Sequence, residues 1–443
     1  MKIKLSRLIN KKYKTEIILF LLGFGLSLAY ALSAQTIYGE SQFVSDYDAR
    51  VYLREAYNIV NHGVFSTAAE APFAPDNFRT PLYPLFIAFF LYFKMPILFV
   101  IIVQNFIAGL IAIVTYRIGL KIFELHSVGV IASLLFIFEP ASKYWNSILM
   151  SDTLFAFLFL VSVYFLINHR IYLSAICLGL ATLTRPIGLY FIVIFLLAFS
   201  IYQFLKARHY ADVLKKIVLA SVLFLLVLSP WLGRNKKEFG TFDISGAGLH
   251  NFYTVALSQF AAQQNVSLSM PTEVVMVNNA YDYDPGNDAF YKENAYDIIS
   301  QRPVQYARFY LVSVMKIFND HDYDYMFHQL IDIHDPSNAI LIITRSLVGI
   351  GKFIWIIVYA LALAGFGFIV ANRLDPIKKD WAFLILFLIV YNSLLVGISG
   401  VYWGGRLNMP ILPLLFCVAA YGFIGIYKLF CLHKKQFLDY IIL

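Results

Sequence analysis

Charged side chains next to apolar runs are the first residues in this sequence that could carry chemistry. Asp46 and Asp48 follow the first apolar run, and Asp48 opens a stretch in which Tyr52, Ala56 and Ile59 recur at helical spacing. A carboxylate held there can accept a proton from a hydroxyl group. Charged groups at membrane depth are costly, and they are commonly functional or paired.

Arginines beside prolines or glycines form a second set. Its members are Arg79, Arg185, Arg234 and Arg406. A guanidinium meets phosphate with a planar fork of donors, so these side chains could hold a phosphorylated ligand. Three further polar residues lie near the ends of apolar runs, namely Tyr83, Glu139 and Asp152. The two sets together favour a site in which a carboxylate acts beside a bound anion.

The composition shows what kind of element must position these side chains. Hydrophobic residues make up 60% of the 443 residues and charged residues only 14%, and the mean hydropathy is +0.69. Soluble domains are about one quarter charged because polar surface must cover their core. The sequence therefore predicts an all-α polytopic membrane protein. Its net charge of +8 is attributed to short basic loops rather than to nucleic-acid binding.

Apolar runs of about 20 residues predict the membrane spans. The clear runs are 16–37, 97–120, 186–205, 214–232, 350–371, 381–399 and 409–430, and the shorter ones are 127–144, 149–167 and 170–184. We therefore expect about ten transmembrane helices, within a range of about 10–13. The run 81–93 is short and is expected to be re-entrant or interfacial. The first run is long for a signal peptide, so an uncleaved anchor is expected.

Basic loops orient these spans. The basic N-terminus and the loops 206–216 and 372–380 fall on one side, which the positive-inside rule assigns to the cytoplasm. Both chain ends are then cytoplasmic, whereas the polar segments 38–80 and 233–349 and all the charged motifs face the other side. The predicted parts are a transmembrane module (1–232) with first outer loop 38–80, an extracytoplasmic loop with amphipathic helices (233–349), and C-terminal transmembrane helices (350–443).

In their order, these motifs resemble the C-type (GT-C) membrane glycosyltransferases, near the protein mannosyltransferase-like branch that includes the lipid A aminoarabinose transferases. The matching residues are Asp48, Tyr52 and Ala56, then Arg79-Thr80-Pro81-Leu82-Tyr83-Pro84, Leu183-Thr184-Arg185-Pro186, Pro230-Trp231 with Arg234-Asn235, and Arg406 with Pro410. Asp46-Tyr47-Asp48 stands where protein mannosyltransferases carry an adjacent acidic pair. This departure leaves both aspartates open as the base.

The resemblance implies an inverting transfer of a sugar from a polyprenyl-phosphate carrier to a lipid, glycan or protein acceptor. The reaction would take place on the non-cytoplasmic face of a bacterial-type plasma membrane. Asp48 or Asp46 would take the acceptor proton, and one carboxylate suffices for a single inverting displacement, unlike the covalent route of retaining hydrolases. The arginines would stabilise the departing phosphate. The substrate-binding set comprises Arg79, Tyr83, Glu139, Asp152, Arg185, Arg234 and Arg406. Some family members use a divalent cation, which stays open here.

Each of these residues also has a structural interpretation. Asp46 or Asp48 would cap the helix that follows, and Asp152 would cap its span. Glu139 would end a helix before a proline, and the arginines would reach towards lipid headgroups. The Asp- and His-rich segment 320–334 is a weaker candidate for a metal site, since its spacing matches no common ligand pattern.

Two other functional classes remain open. A polysaccharide polymerase would be expected to concentrate arginines in its long outer loop. In segment 233–349, however, the acidic residues are at least as numerous as the basic ones. A lipid-linked glycan transporter would be expected to show repeated halves and polar groups midway along its spans. Gln104 and Asn105 are among the few such groups here.

Overall fold

The computed structural model describes residues 2–206, 210–271, 285–318, 322, 338–371, 376–398 and 404–442. Within these ranges the regular secondary structure is entirely helical. This confirms the predicted all-α class.

The fold consists of long apolar helices joined by shorter ones. In chain order the α-helices are α1 (Lys2–Tyr38), α2 (Tyr47–His62), α3 (Leu82–Tyr92), α4 (Ile97–Phe123), α5 (His126–Phe138), α6 (Pro140–Asn146), α7 (Asp152–Ile167), α8 (Ile171–Thr184), α9 (Phe191–Lys206), α10 (Tyr210–Phe239), α11 (Ala247–Asn251), α12 (Ser258–Gln263), α13 (Asp288–Gln301), α14 (Pro303–Ile317), α15 (Asn338–Val370), α16 (Pro376–Gly397), α17 (Gly404–Asn408) and α18 (Leu412–Ile442). Short 3₁₀ turns cover Glu40–Val44, Pro186–Tyr190 and Pro285–Asn287, and a π-helical turn covers Phe252–Leu257.

Six of the described helical stretches are long and apolar enough to cross a membrane, which makes the chain an integral membrane protein. They are Tyr13–Tyr38, Ile97–Phe123, Pro186–Gln203, Gly349–Val370, Lys379–Gly397 and Leu412–Cys431. Shorter apolar helices correspond to the other predicted runs, except that 214–232 lies inside α10. The total of about ten spans stays a prediction. At 11 residues, α3 is about 16 Å long, too short to span a bilayer.

The run predicted as one span over 127–144 is divided in the structure. α5 ends at Phe138 and α6 begins at Pro140, with Glu139 in an extended conformation between them. Proline lacks a backbone N–H and disfavours helical geometry in the preceding residue, so the helix cannot continue through Glu139. The break turns the chain just before the segment that leads to Asp152.

The predicted boundary at 233 falls inside a helix. α10 contains Pro230 and continues to Phe239. Its last turns are attached to the following loop, because the Trp231 indole donates to the Ile244 carbonyl (2.8 Å) and the Asn235 amide to Asp243 (2.7 Å). The start of the C-terminal part likewise falls inside α15. The division into three parts stays a prediction.

Small residues allow the C-terminal helices to approach closely. α18 packs along α15 and α5, and a Cβ atom at Gly422 would overlap the backbone carbonyl of Leu361. Gly365 likewise has no room for a Cβ, since it faces the backbone of Val418. Small residues at such contacts are the usual way to bring helix backbones together in lipid. This packing holds the start of α18, and therefore α17, against the rest of the bundle.

Within segment 233–349, where amphipathic helices are expected, α14 has this character. It packs on α16, where the Tyr310 hydroxyl donates to the Leu394 carbonyl (2.7 Å). Its outer side is apolar, with Val304 77% and Met315 71% exposed. An apolar outer side next to a membrane-spanning helix fits a helix that lies at the bilayer surface.

We expect segment 233–349 to face outwards and the loop before α10 to face the cytoplasm. The test uses Asn287→Cys and Tyr210→Cys, each in a protein that lacks Cys177, Cys417 and Cys431. A membrane-impermeant maleimide should label position 287 in intact cells, but position 210 only after permeabilisation. Tyr210 is 66% exposed, and its replacement keeps every basic residue that sets the orientation. The reverse labelling pattern would invert the topology.

Candidate active site

The two aspartates at the start of α2 have different environments. Asp46 is the N-cap of α2, and its carboxylate accepts a hydrogen bond from the Asp48 backbone N–H (2.9 Å). Asp48 lies in the first turn, and its side chain is 31% exposed. Asp46 therefore has the capping geometry typical of this residue type. Asp48 points its carboxylate at other groups.

Two arginines hold the Asp48 carboxylate. Arg79 Nη2 donates to one oxygen (2.9 Å) and Arg406 Nη2 to the other (2.9 Å). Burial on its own would raise the pKa of Asp48, but the two guanidiniums outweigh it and hold that pKa well below the usual range. The carboxylate is therefore ionised at neutral pH. It is also weakly basic while both arginines stay bound.

Arg406 extends this arrangement to a second carboxylate. Its Nε donates to Asp152 (3.1 Å), and Arg185 Nη1 pairs with the other oxygen of Asp152. The Asp152 side chain is fully buried at the start of α7. Arg79, Asp48, Arg406, Asp152 and Arg185 thus form one ion-pair network. Its three arginines and two aspartates leave one excess positive charge, which favours an anionic ligand.

Arg406 is fixed by its backbone as well as by its side chain. The Asp322 carboxylate accepts from the Arg406 backbone N–H and from the Trp145 indole (3.0 Å). The Trp145 ring lies 5.4 Å from the guanidinium carbon of Arg406. These contacts hold the planar guanidinium of Arg406 between the carboxylates of Asp48 and Asp152. That geometry suits arginine better than lysine.

Hydrogen bonds fix the backbone of the segment that leads to Arg79. The Asp76 carboxylate accepts from the backbone N–H groups of Phe78 (3.0 Å) and Arg79 (3.3 Å). The Asn77 carbonyl accepts from Gly246 (3.1 Å), and the Phe78 carbonyl accepts from the Ser245 hydroxyl. The Arg79 guanidinium lies 5.6 Å from the centre of the Tyr52 ring. The loop therefore presents Arg79 to Asp48 in one orientation.

Arg234 helps to hold the segment that carries Arg79, and it does not take part in the ion-pair network. It donates to the backbone carbonyls of Asp76 (2.6 Å) and Phe65 (3.3 Å), and its guanidinium lies 4.8 Å from the Trp231 ring centre. Its predicted contact with substrate stays a prediction. In the structure it holds segment 38–80 against the end of α10.

Glu139 and Tyr83 also lie outside the network. Glu139 is the N-cap of α6, and its carboxylate accepts from the backbone N–H groups of Ala141 (3.0 Å) and Ser142 (2.6 Å). The Tyr83 hydroxyl donates to Gln104, and its ring packs edge-on against Tyr52 at 4.9 Å. Both residues have structural partners here. Their predicted roles in substrate binding stay predictions.

A buried polar cluster on α4 fixes the irregular segment before Asp152. The Gln104 amide donates to the carbonyls of Ile148 (2.8 Å) and Asn146 (3.3 Å). Ser151, at the end of this segment, contacts the Tyr52 hydroxyl (3.1 Å). Non-helical backbone in an apolar surrounding needs such partners. These hydrogen bonds explain why a polar side chain lies within α4. Gln104 therefore does not require a transport pathway as its explanation.

The possible metal site falls mostly outside the described residues. Of segment 320–334 the structure describes Asp322 alone, and that residue contacts Arg406 and Trp145. Within the described part of the chain, no group of three or more His, Cys, Asp or Glu side chains could hold a metal ion. The divalent cation stays a prediction.

Asp76 is a residue that the sequence-based set missed. Its sequence signal is an aspartate in a proline-rich loop, placed two and three residues before the backbone N–H groups from which it accepts. This placement is typical of local side-chain to backbone hydrogen bonding. Trp145 carries no comparable sequence signal, because its partners are far away in the chain.

Among known proteins, this chain is similar to solved structures but matches no family model. Neither models of known families nor curated protein sequences match this chain. Among solved structures it is similar to the crystal structure of the Archaeoglobus fulgidus oligosaccharyltransferase in complex with Zn and sulfate. The TM-score is 0.42 and the identity 13%, over 90% of this chain and 53% of that one. This chain thus spans about half the length of that protein.

Proposed function

We propose that the protein is an inverting membrane glycosyltransferase of the GT-C type. In this proposal it moves a sugar from a polyprenyl-phosphate donor to an acceptor hydroxyl on the non-cytoplasmic face. The observation that carries the proposal is the ion-pair network, in which an ionised, partly exposed Asp48 lies among arginines in excess. An acceptor base and a phosphate site are the two parts that such a transfer requires.

The donor phosphate would bind to the arginines at the ends of the network. Arg79 and Arg185 each use one terminal nitrogen on an aspartate. Within the described part of the chain their other side-chain donors have no hydrogen-bond partner, so we expect them to be available to phosphate oxygens. The side chain of Arg185 is 19% exposed. A phosphate leaving group departs as an anion and needs no proton. Fixed guanidiniums would stabilise the charge that develops on it.

Binding of the phosphate would also activate the base. While Arg79 and Arg406 hold both oxygens of Asp48, its basicity is suppressed. A phosphate that takes over part of these donors weakens the ion pairs, which returns the pKa of Asp48 towards its ordinary value. The carboxylate could then accept the proton of the acceptor hydroxyl. The sugar carbon would be attacked on the face opposite the phosphate, which inverts its configuration.

We expect Arg185→Ala to weaken binding of a polyprenyl phosphate by about 10- to 100-fold, because a charge-assisted hydrogen bond contributes about 1.5–3 kcal/mol. Arg185→Lys should lose less, since the charge remains. Binding would be measured with purified protein in lipid nanodiscs. Transfer from a panel of polyprenyl-phosphate sugars, followed by mass spectrometry, tests the activity itself.

Arg50→Ala is the matched control, because Arg50 is an exposed arginine on α2 outside the network. It should bind the carrier like the wild type. If all four proteins bound equally, Arg185 would not contact the phosphate. If the wild type bound no carrier and transferred no sugar from any donor in the panel, the proposed function would be wrong.

A further inference from the structure

A second carboxyl group lies deep behind the network. Glu55 is on α2, seven positions after Asp48, on the helix face that it shares with Asp48 and Tyr52. The residue is 0% exposed. Among the described residues, no donor group bonds to either of its carboxyl oxygens. A buried ionised carboxylate without donors would be very costly.

The group next to Glu55 is itself a carboxylate. Glu55 lies within hydrogen-bonding reach of Asp76. The other charged groups that act on it are Asp48, Arg79 and Arg234. Two carboxyl groups can share a hydrogen bond only when one of them carries a proton. Asp76 already accepts from two backbone N–H groups and is only partly buried, so the proton of the pair is assigned to the fully buried Glu55.

We propose that Glu55 is kept as a neutral carboxylic acid that donates a hydrogen bond to Asp76 and thereby positions Arg79 in the network. This role rests on the proposed function in so far as Arg79 binds the donor. Glu55 is a positioning residue, because it acts through Asp76 and the backbone of Phe78 and Arg79. It donates a hydrogen bond to the side chain that accepts from the Phe78 and Arg79 backbone N–H groups.

The proposal has a consequence for pH. Burial raises the pKa of Glu55 well above its usual range, and Asp76 raises it further. In this proposal the neutral acid is the form present at neutral pH, and it is lost as the pH rises through the raised pKa of Glu55. Ionised Glu55 would repel Asp76 and withdraw its donor. The hold on the Phe78 and Arg79 backbone would loosen, so carrier binding should weaken at alkaline pH.

The test compares Glu55→Leu and Glu55→Gln with the wild type. Leucine fills the site without a donor, so the Kd for a polyprenyl phosphate should rise about tenfold. Glutamine can donate to Asp76 through its amide and cannot ionise. It should restore binding and remove the alkaline weakening seen in the wild type. A purely volume-filling role would give the same pH profile in the wild type and Glu55→Gln.

Two readouts do not depend on sugar transfer. Infrared difference spectra between neutral and alkaline pH should show the loss of a protonated carboxyl band in the wild type but not in Glu55→Gln. Hydrogen exchange at one fixed pH should show less protection of the Phe78 and Arg79 amides in Glu55→Leu, with protection restored in Glu55→Gln. A band that persists in Glu55→Gln, or unchanged exchange in Glu55→Leu, would overturn the proposal. If the wild type bound no carrier, these two readouts would still decide it.

Discussion

Asp48→Asn should slow sugar transfer by about 10²–10⁴-fold, the usual contribution of a general base. Asparagine keeps the size of the side chain and one acceptor oxygen, but it cannot take up a proton at neutral pH. Its amide nitrogen would face Arg79 or Arg406 in place of an oxygen, so one ion pair is lost and the other persists as a hydrogen bond. Single-turnover transfer with donor bound beforehand would separate this loss from weaker donor binding.

Asp46→Asn is the matched control, since Asp46 lies two positions away and caps α2. Asparagine and aspartate cap helices about equally well, so this variant should fold normally and keep most of its activity. Loss of transfer in Asp46→Asn with normal transfer in Asp48→Asn would move the base to Asp46. Normal transfer in both variants would remove this loop from the chemistry.

Arg406→Gln should reduce transfer by at least about 10²-fold, which is the loss typical of removing a fixed donor from developing charge. Arg406 is the side chain that links Asp48 to Asp152. Its removal leaves the buried Asp152 paired with Arg185 alone, so the variant should also be less stable than the wild type. Arg406→Lys should recover part of the stability but little of the rate, because one ammonium cannot hold both carboxylates in this geometry.

Arg117→Gln controls for the loss of an ion pair as such. Arg117 pairs with Glu16 through two hydrogen bonds (3.0 and 2.8 Å), away from the network. Thermal unfolding and transfer would be measured on each variant. Arg117→Gln should lower the unfolding temperature and leave the transfer rate of the folded protein unchanged. Equal rates in Arg406→Gln and Arg117→Gln would show that Arg406 serves stability alone.

The helices could be predicted from the sequence because their signals are local. Long apolar runs fix the spanning stretches, and the spacing of Asp48, Tyr52 and Ala56 correctly indicated α2. The predicted span 127–144 was wrong as a single helix, although Pro140 marks its break in the sequence. The continuation of α10 past 232 was missed, because nothing in the apolar pattern requires a helix to end where its hydrophobicity does.

The pairing of the site residues could not be predicted in the same way. Asp48 and Arg406 were both named from their motifs, but their contact joins positions 358 residues apart. Periodicity and propensity describe neighbours along the chain, so they cannot tell that Arg406 enters the network while Arg234 supports a loop. The capping role of Asp46 could be anticipated, since an aspartate before a helical run is a local signal.

The position of Arg406 in the chain affects how the protein is made. Asp48 and Arg79 are synthesised first, and Asp152 and Arg185 follow, whereas Arg406 is synthesised shortly before α18. An incomplete polypeptide can form the two outer ion pairs, but the residue that joins them is still missing. The site is therefore assembled only after the helices from α1 to α16 have been synthesised. A copy that stops before Arg406 keeps both arginines proposed to bind the phosphate, but it lacks the side chain that joins Asp48 to Asp152.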